Sequence, residues 1–126
     1  MKRKPHKLTP EELQLFARFI RFEVTRSELL ATVRGVFTFD FTPAVRRSEC
    51  NFAPPAPGVR VTLSDIDNAT AFHAQGRIST DDLTQWATLL LHCDAYDWEG
   101  PEENEIAGRL NDLSMPQLFM KGAAEQ

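Results

Sequence analysis

Six acidic residues fall within twelve positions and form the densest group of potential ligands or catalysts in the chain. They are Asp94, Asp97, Glu99, Glu102, Glu103 and Glu105. Carboxylates grouped in this way can work as a general acid and base or bind a divalent cation. Their spacing matches no calcium-binding loop, because Gly100 does not stand between ligands at the offsets which that loop requires. A solvated acidic surface is therefore the first prediction, and a small enzyme or divalent-metal-binding protein is the alternative.

Two large amphipathic aromatic residues, Tyr96 and Trp98, lie among these acids. Tyr and Trp are enriched at the energetic centres of protein interfaces, and surrounding acids attract a basic partner. We therefore predict a partner-binding surface formed by Tyr96, Asp97, Trp98, Glu99, Glu102 and Glu103. The alternative is that the two aromatic side chains anchor this segment in the core. Acids in the first turn of a helix also favour its dipole, so Asp97 and Glu99, which precede the predicted helix, are the stronger functional candidates.

No other residues have the spacing of a catalytic or metal-binding motif. The glycines are scattered, and no Gly-x-Ser-x-Gly occurs. His92, Cys93 and Asp94 are contiguous, so on a helix they point about 100° apart and cannot face one metal ion. Cys50 and Cys93 lie in separate segments and are predicted to be two reduced thiols. We therefore predict no catalytic residue, no metal ligand and no cofactor.

Charge is distributed unevenly along the chain. Residues 1–60 carry 11 Lys+Arg and 6 Asp+Glu, whereas residues 61–126 carry 3 Lys+Arg and 12 Asp+Glu. This polarity suits either a protein partner with a basic surface or a match between the two halves. The net charge of −4 and the lack of a recognisable reader helix argue against nucleic acid, so a nucleic-acid adaptor is only a third hypothesis.

Four helix starts are marked by a capping residue followed three positions later by an acid. The pairs are Thr9/Glu12, Thr25/Glu28, Thr62/Asp65 and Ser79/Asp82. With the apolar spacing, they predict helices at 10–22, 26–34, 63–74 and 80–94, and a fifth helix follows at 102–113. The first two helices and the next two repeat at an offset of 53 residues, which becomes 54 after one insertion. The fold class predicted is mainly α, with duplicated helical hairpins packed into a small bundle.

A short β element is expected near residues 36–41, where Phe37, Phe39 and Phe41 alternate with other residues. Four prolines within residues 42–58 predict irregular structure there, and residues 59–61 are expected to be a second short strand paired with the first. The domain prediction is a disordered basic tail at 1–8, a single helical domain at 9–119 and a frayed tail at 120–126. Because no signal peptide or membrane span is recognised, a cytoplasmic location is predicted.

Part of the chain resembles the small helical immunity proteins of bacterial toxin systems. The features that carry the resemblance are the helix cap at Ser79, the Trp86–Ala87 pair, the acidic Tyr96/Trp98 segment and the helix at 106–116. The similarity covers residues 61–116 only. It implies a non-enzymatic bacterial protein that binds and neutralises another protein. No functional residue is carried over from this resemblance.

Overall fold

The computed structural model describes residues 6–41 and 46–115, without the side chains of Phe41 and Arg46. Within these residues there are five helices and six short strands, which confirms a mainly α fold at the coarse level. The helices are α1 (Pro10–Ile20), α2 (Arg26–Thr32), α3 (Leu63–Ala74), α4 (Thr80–His92) and α5 (Glu103–Leu113). The strands are β1 (His6–Lys7), β2 (Phe37–Phe41), β3 (Arg46–Cys50), β4 (Phe52–Ala53), β5 (Val59–Arg60) and β6 (Tyr96–Asp97).

Contacts divide the chain into two compact units. Unit 1 comprises Met1–Arg60 and Cys93–Asp97, and unit 2 comprises Val61–His92 and Trp98–Gln126. Each unit therefore consists of two separate stretches of the chain. Residues 1–5 of the predicted basic tail and the predicted frayed tail at 120–126 lie outside the described residues.

All four predicted capping boxes are present. At the start of α1, the Glu12 amide donates to Thr9 Oγ1 at 3.1 Å, and the Thr9 amide donates to Glu12 Oε1 at 2.8 Å. The same reciprocal pair begins α2 and α3, and it links Ser79 with Asp82 at the start of α4. Because these bonds satisfy amides that lack a helical partner, they fix where each helix begins. Helices α1, α2 and α4 end two residues before their predicted ends.

The turn between α1 and α2 has the same backbone form as the turn between α3 and α4. Phe22 has φ +61° in the first turn, and Gly76 has φ +73° in the second. In each turn the following amide donates to the carbonyl five residues earlier, at 3.0 Å and 2.9 Å respectively. This left-handed C-terminal arrangement ends a helix and redirects the chain. Since α3 has 12 residues and α1 has 11, the extra residue accounts for the change of offset from 53 to 54.

The strand pairing in unit 1 corrects three predictions. Residues 46–50 and 52–53 form β3 and β4, so the expectation of irregular structure throughout 42–58 is wrong. Strand β2 pairs antiparallel with β3, with Phe37 opposite Cys50, instead of with residues 59–61. Strand β5 instead pairs parallel with β6. Strand β1 pairs parallel with β4, so His6–Lys7 is part of the fold instead of a disordered tail. The prolines that motivated the first prediction lie outside β3 and β4.

The core of unit 1 is built around Phe16, which is fully buried. Its ring packs against Phe37, Phe52 and Tyr96, with centroid separations of 6.2, 6.1 and 5.7 Å. These three rings come from β2, β4 and β6, so one helix residue joins strands from distant parts of the sequence. Offset and edge-to-face aromatic pairs of this kind stabilise a core beyond the area they bury.

Unit 2 is formed by α3, α4 and α5, with α5 packed mainly against α4. Trp86 is the largest buried side chain, and Ile66, Leu83 and Leu110 are buried with it. On the surface of this unit, the Arg109 guanidinium lies 2.8 Å from the Asp67 carboxylate. Across the part of the chain that the structure describes, no helix is long and apolar enough to cross a membrane.

Candidate functional site

The predicted partner-binding surface is divided between the two units. Tyr96 and Asp97 belong to unit 1, whereas Trp98, Glu99, Glu102 and Glu103 belong to unit 2. The backbone changes unit between Asp97 and Trp98, directly after β6. The six residues therefore fall into two separate groups.

Tyr96 is a core residue of unit 1. Only 7% of it is exposed, its hydroxyl donates to the Phe16 carbonyl at 2.8 Å, and its ring stands at 90° to that of Phe16. Burial raises the pKa of the phenol well above its ordinary value of 10.0, because the phenolate would lose its hydration. The predicted role of Tyr96 in contacting a partner needs correction, since the side chain is occupied in the core. The alternative reading, in which an aromatic residue anchors the segment, describes Tyr96.

Asp97 has local structural contacts that its sequence position did not reveal. Its carboxylate lies 3.9 Å from the Arg60 guanidinium, opposite it in the β5–β6 pair. A Cβ built on Gly58 would lie 2.8 Å from Asp97 Cβ, so the two backbones approach closely only because residue 58 is a glycine. Asp97 therefore has a local structural role in unit 1, which its position before the predicted helix did not indicate.

The second group is exposed except for its aromatic residue. Trp98 is half-buried, and every residue from Glu99 to Glu105 is exposed. This stretch carries Glu99, Glu102, Glu103 and Glu105. Glu102 is the N-cap residue of α5 and makes no side-chain capping hydrogen bond, while Glu103 and Glu105 lie in the first turn. Negative side chains here favour the helix dipole, and together with Glu99 they give an exposed acidic stretch that follows Trp98 in the chain.

The uneven charge follows the units. Unit 2 contains 3 Lys+Arg and 10 Asp+Glu, a net charge of −7, whereas unit 1 contains 11 Lys+Arg and 8 Asp+Glu, a net charge of +3. The acidic stretch before α5 therefore lies in a unit that is negative as a whole. Such a unit produces a long-range field that attracts cations and basic surfaces.

Metal ligands do not converge within the described ranges. No group of three or more His, Cys, Asp or Glu side chains there could hold a metal ion.

The two cysteines form a pair that the sequence did not predict. Cys50 ends β3 and is half-buried, and Cys93, directly after α4, is 3% exposed. The Cys93 thiol donates a hydrogen bond to the Cys50 sulfur, and the Asp94 amide donates to the same sulfur. These bonds, the first above all, lower the pKa of Cys50 to about 7. Burial raises the pKa of Cys93, because a thiolate there would be cut off from water.

Nothing in the spacing of positions 50 and 93 indicates this contact. It depends on the assignment of residues 93–97 to unit 1 and on the β2–β3 hairpin, neither of which the local pattern determines. The available signal was only that the chain has two cysteines.

Comparison with known proteins gives no match. No family model matches the chain, and neither a curated protein nor a solved structure matches it with a significant score. The resemblance to immunity proteins therefore stays a prediction.

Proposed function

We propose that this protein is a non-enzymatic binding module that recognises a partner protein with a basic surface. The binding surface is the exposed stretch of residues 98–105, with Trp98 as its anchor and Glu99, Glu102 and Glu103 as its attracting charges. An immunity protein or another inhibitor would act in this way, by occupying a basic surface of its target. Within this proposal the protein works in the cytoplasm.

The observation that carries the proposal is a run of seven consecutive exposed residues, from Glu99 to Glu105, that includes four glutamates and follows a half-buried tryptophan. Interface charges of one sign mainly raise the rate of encounter with an oppositely charged partner, while an aromatic anchor contributes most of the affinity. The net charge of −7 on unit 2 supports the same electrostatic role. Tyr96 and Asp97 serve unit 1 and are not part of this surface.

A pair of charge variants tests where a basic partner binds. The probe is a lysine- and arginine-rich peptide, with binding to the full chain followed by fluorescence at low and high salt. Glu102→Gln/Glu103→Gln removes two charges from the proposed surface. The matched control, Glu11→Gln/Glu49→Gln, removes two charges from exposed positions in unit 1. The first variant should slow association several-fold more than the control, and high salt should remove the difference.

Equal effects of the two double variants would mean that the peptide responds only to net charge, and would contradict the proposed surface. Trp98→Ala should raise the dissociation rate and leave the salt dependence unchanged, because the ring contributes contact and not charge.

Two alternative functions are separated by simple titrations. Stoichiometric binding of Ca²⁺ or Mg²⁺ that is lost in an Asp97→Ala/Glu99→Ala variant would favour the metal-binding or enzyme hypothesis. Binding of a DNA duplex that falls steeply with salt would favour the nucleic-acid hypothesis.

We further propose that the two helical hairpins, α1–α2 and α3–α4, are duplicated copies that pack into one small bundle. Their matching capping boxes and turns support the duplication. Cysteine cross-links placed between the hairpins test the packing. If no pair of positions joins α1 or α2 to α3 or α4 efficiently, the bundle is wrong.

A further inference from the structure

The cysteine pair is held in place from both sides by backbone structure. Cys50 lies opposite Phe37 in the β2–β3 ladder, and the next amide, that of Asn51, donates to the Val36 carbonyl at 2.7 Å. On the other side, the Cys93 carbonyl accepts from the Tyr96 amide at 3.2 Å in the turn that leads into β6. The hydrogen bond between the thiols is thus a contact between two fixed segments of unit 1.

The two sulfurs differ in access to solvent. Cys50 is half-buried and accepts hydrogen bonds from the Cys93 thiol and the Asp94 amide, which favour its thiolate. Cys93 is buried, and its sulfur interacts with the Ala95 amide and with the Cys50 sulfur. A partly exposed, stabilised thiolate beside a buried, protonated thiol is the arrangement in which one cysteine attacks a disulfide and the other resolves the product.

We propose that Cys50 and Cys93 form a redox-active dithiol that exchanges with small-molecule disulfides, with Cys50 as the attacking thiol and Cys93 as the resolving thiol. The substrate class is a low-molecular-weight disulfide such as that of an oxidised thiol tripeptide. This activity is independent of the acidic surface in unit 2.

The reaction proceeds in two balanced exchanges. In the first, the Cys50 thiolate attacks one sulfur of the small disulfide, forms a mixed disulfide and releases one small thiolate. In the second, the Cys93 sulfur attacks Cys50 Sγ, breaks the mixed disulfide and releases the second small thiolate, and the Cys93 proton passes to a released thiolate. The two cysteines together lose two electrons, and the small disulfide gains them and leaves as one thiol and one thiolate, which takes its proton from solvent.

The thiolate at Cys50 sets the expected rate. At pH 7 a thiol with a pKa of about 7 is half ionised, against about 1% for the ordinary value of 9.0. Lower basicity reduces the reactivity of each thiolate by about six- to tenfold over two pKa units, so the net gain is roughly five- to eightfold. Alkylation of Cys50 with iodoacetamide should therefore show a half-maximal rate near pH 7, and Cys93 should react at least about tenfold more slowly because it is buried.

The decisive experiment treats the reduced full-length chain with glutathione disulfide and follows its mass after acid quenching. The wild-type chain should lose two hydrogens and form the internal disulfide, without accumulating a glutathione adduct. Cys93→Ala should stop at a glutathione adduct on Cys50, and its alkylation profile should shift to higher pH, because the donor to Cys50 is gone. Cys50→Ala should form no adduct.

Circular dichroism checks that both variants fold. If Cys93→Ala fails to fold, the measurements on the wild-type chain alone decide whether the two cysteines form a redox-active dithiol. A stable glutathione adduct on the wild-type chain, or equal alkylation rates at the two thiols, would overturn the proposal. So would an alkylation profile of wild-type Cys50 centred near the ordinary value.

Discussion

Replacement of Tyr96 by phenylalanine isolates one buried hydrogen bond. The edge-to-face contact with Phe16 needs only the ring, so Tyr96→Phe keeps it and removes the 2.8 Å bond to the Phe16 carbonyl. A typical hydrogen bond contributes about 0.5–1.5 kcal/mol net, and loss of a partner costs more when the remaining group is left unsatisfied. Phe16 lies within α1, where the regular helical bond also uses its carbonyl. We therefore expect a loss of about 1 kcal/mol in the free energy of unfolding at neutral pH.

The same substitution changes the response to alkaline pH. In the unfolded chain the phenol ionises near its ordinary pKa of 10.0, whereas burial raises the pKa well above that value in the folded protein. Below pH 10 the wild-type contribution is fully present. Between the two pKa values the unfolded state has lost a proton that the folded state keeps, so stability falls by about 1.4 kcal/mol per pH unit. Phenylalanine has no such titration, so the two stability curves should converge above pH 10 and cross at about pH 11.

Urea unfolding of both proteins from about pH 8 to about pH 11 measures this difference, since every other titrating group is common to the two chains. Tyr96 is the only tyrosine, so tyrosinate absorbance reports its ionisation directly. Parallel curves across the whole range, or ionisation of the folded protein near pH 10, would refute the burial of the phenol. Either result would mean that the Tyr96 phenol is exposed to solvent.

Two matched pairs of substitutions in unit 2 extend this test. Trp86→Ala should lower the free energy of unfolding by about 3–5 kcal/mol because the side chain is buried. Trp98→Ala should lower it by less than half as much because that residue is half-buried. Equal losses in urea titrations would make Trp98 a core residue and remove it from the proposed binding surface. Gly76→Ala should lower the free energy of unfolding by about 1–2 kcal/mol, because an alanine is strained at φ +73°. The new Cβ would meet no neighbour, so this strain is the whole expected effect. Gly108→Ala, in an equally open site within α5, should instead stabilise the protein by about 0.5–1 kcal/mol, and thermal melts that place both glycine variants on the same side of the wild type would contradict the turn geometry.

Local signals in the sequence predicted the helices well. A capping residue and its acid lie only three positions apart, so both partners of each capping hydrogen bond can be recognised in the sequence. The pairs Thr9/Glu12 and Ser79/Asp82 were predicted in this way, and their hydrogen bonds are present. Apolar spacing likewise predicted α4, whose buried side chains include Leu83 and Trp86.

The strand pairing and the cysteine contact could not be predicted in this way. Strands of two residues, such as β5 and β6, are too short to show a period, and their partner is set by tertiary packing. The same limit affected the prediction for Tyr96 and Asp97, because the local sequence shows only that acids surround them and so indicated a surface. In the structure the Tyr96 phenol lies in the core and the Asp97 carboxylate lies near Arg60.

The hydrogen bond from Tyr96 to Phe16 spans 80 positions in the chain, and this span has a consequence for biosynthesis. A ribosome adds about 5–20 residues per second, so roughly 4–16 seconds pass between synthesis of the two partners. During that interval the nascent α1 lacks the ring and hydroxyl that complete the packing around Phe16. Nascent chains stalled before residue 96 should therefore be more sensitive to protease in their N-terminal part than chains stalled well after it. Synthesis of the second half of the protein thus controls when the first half becomes stable.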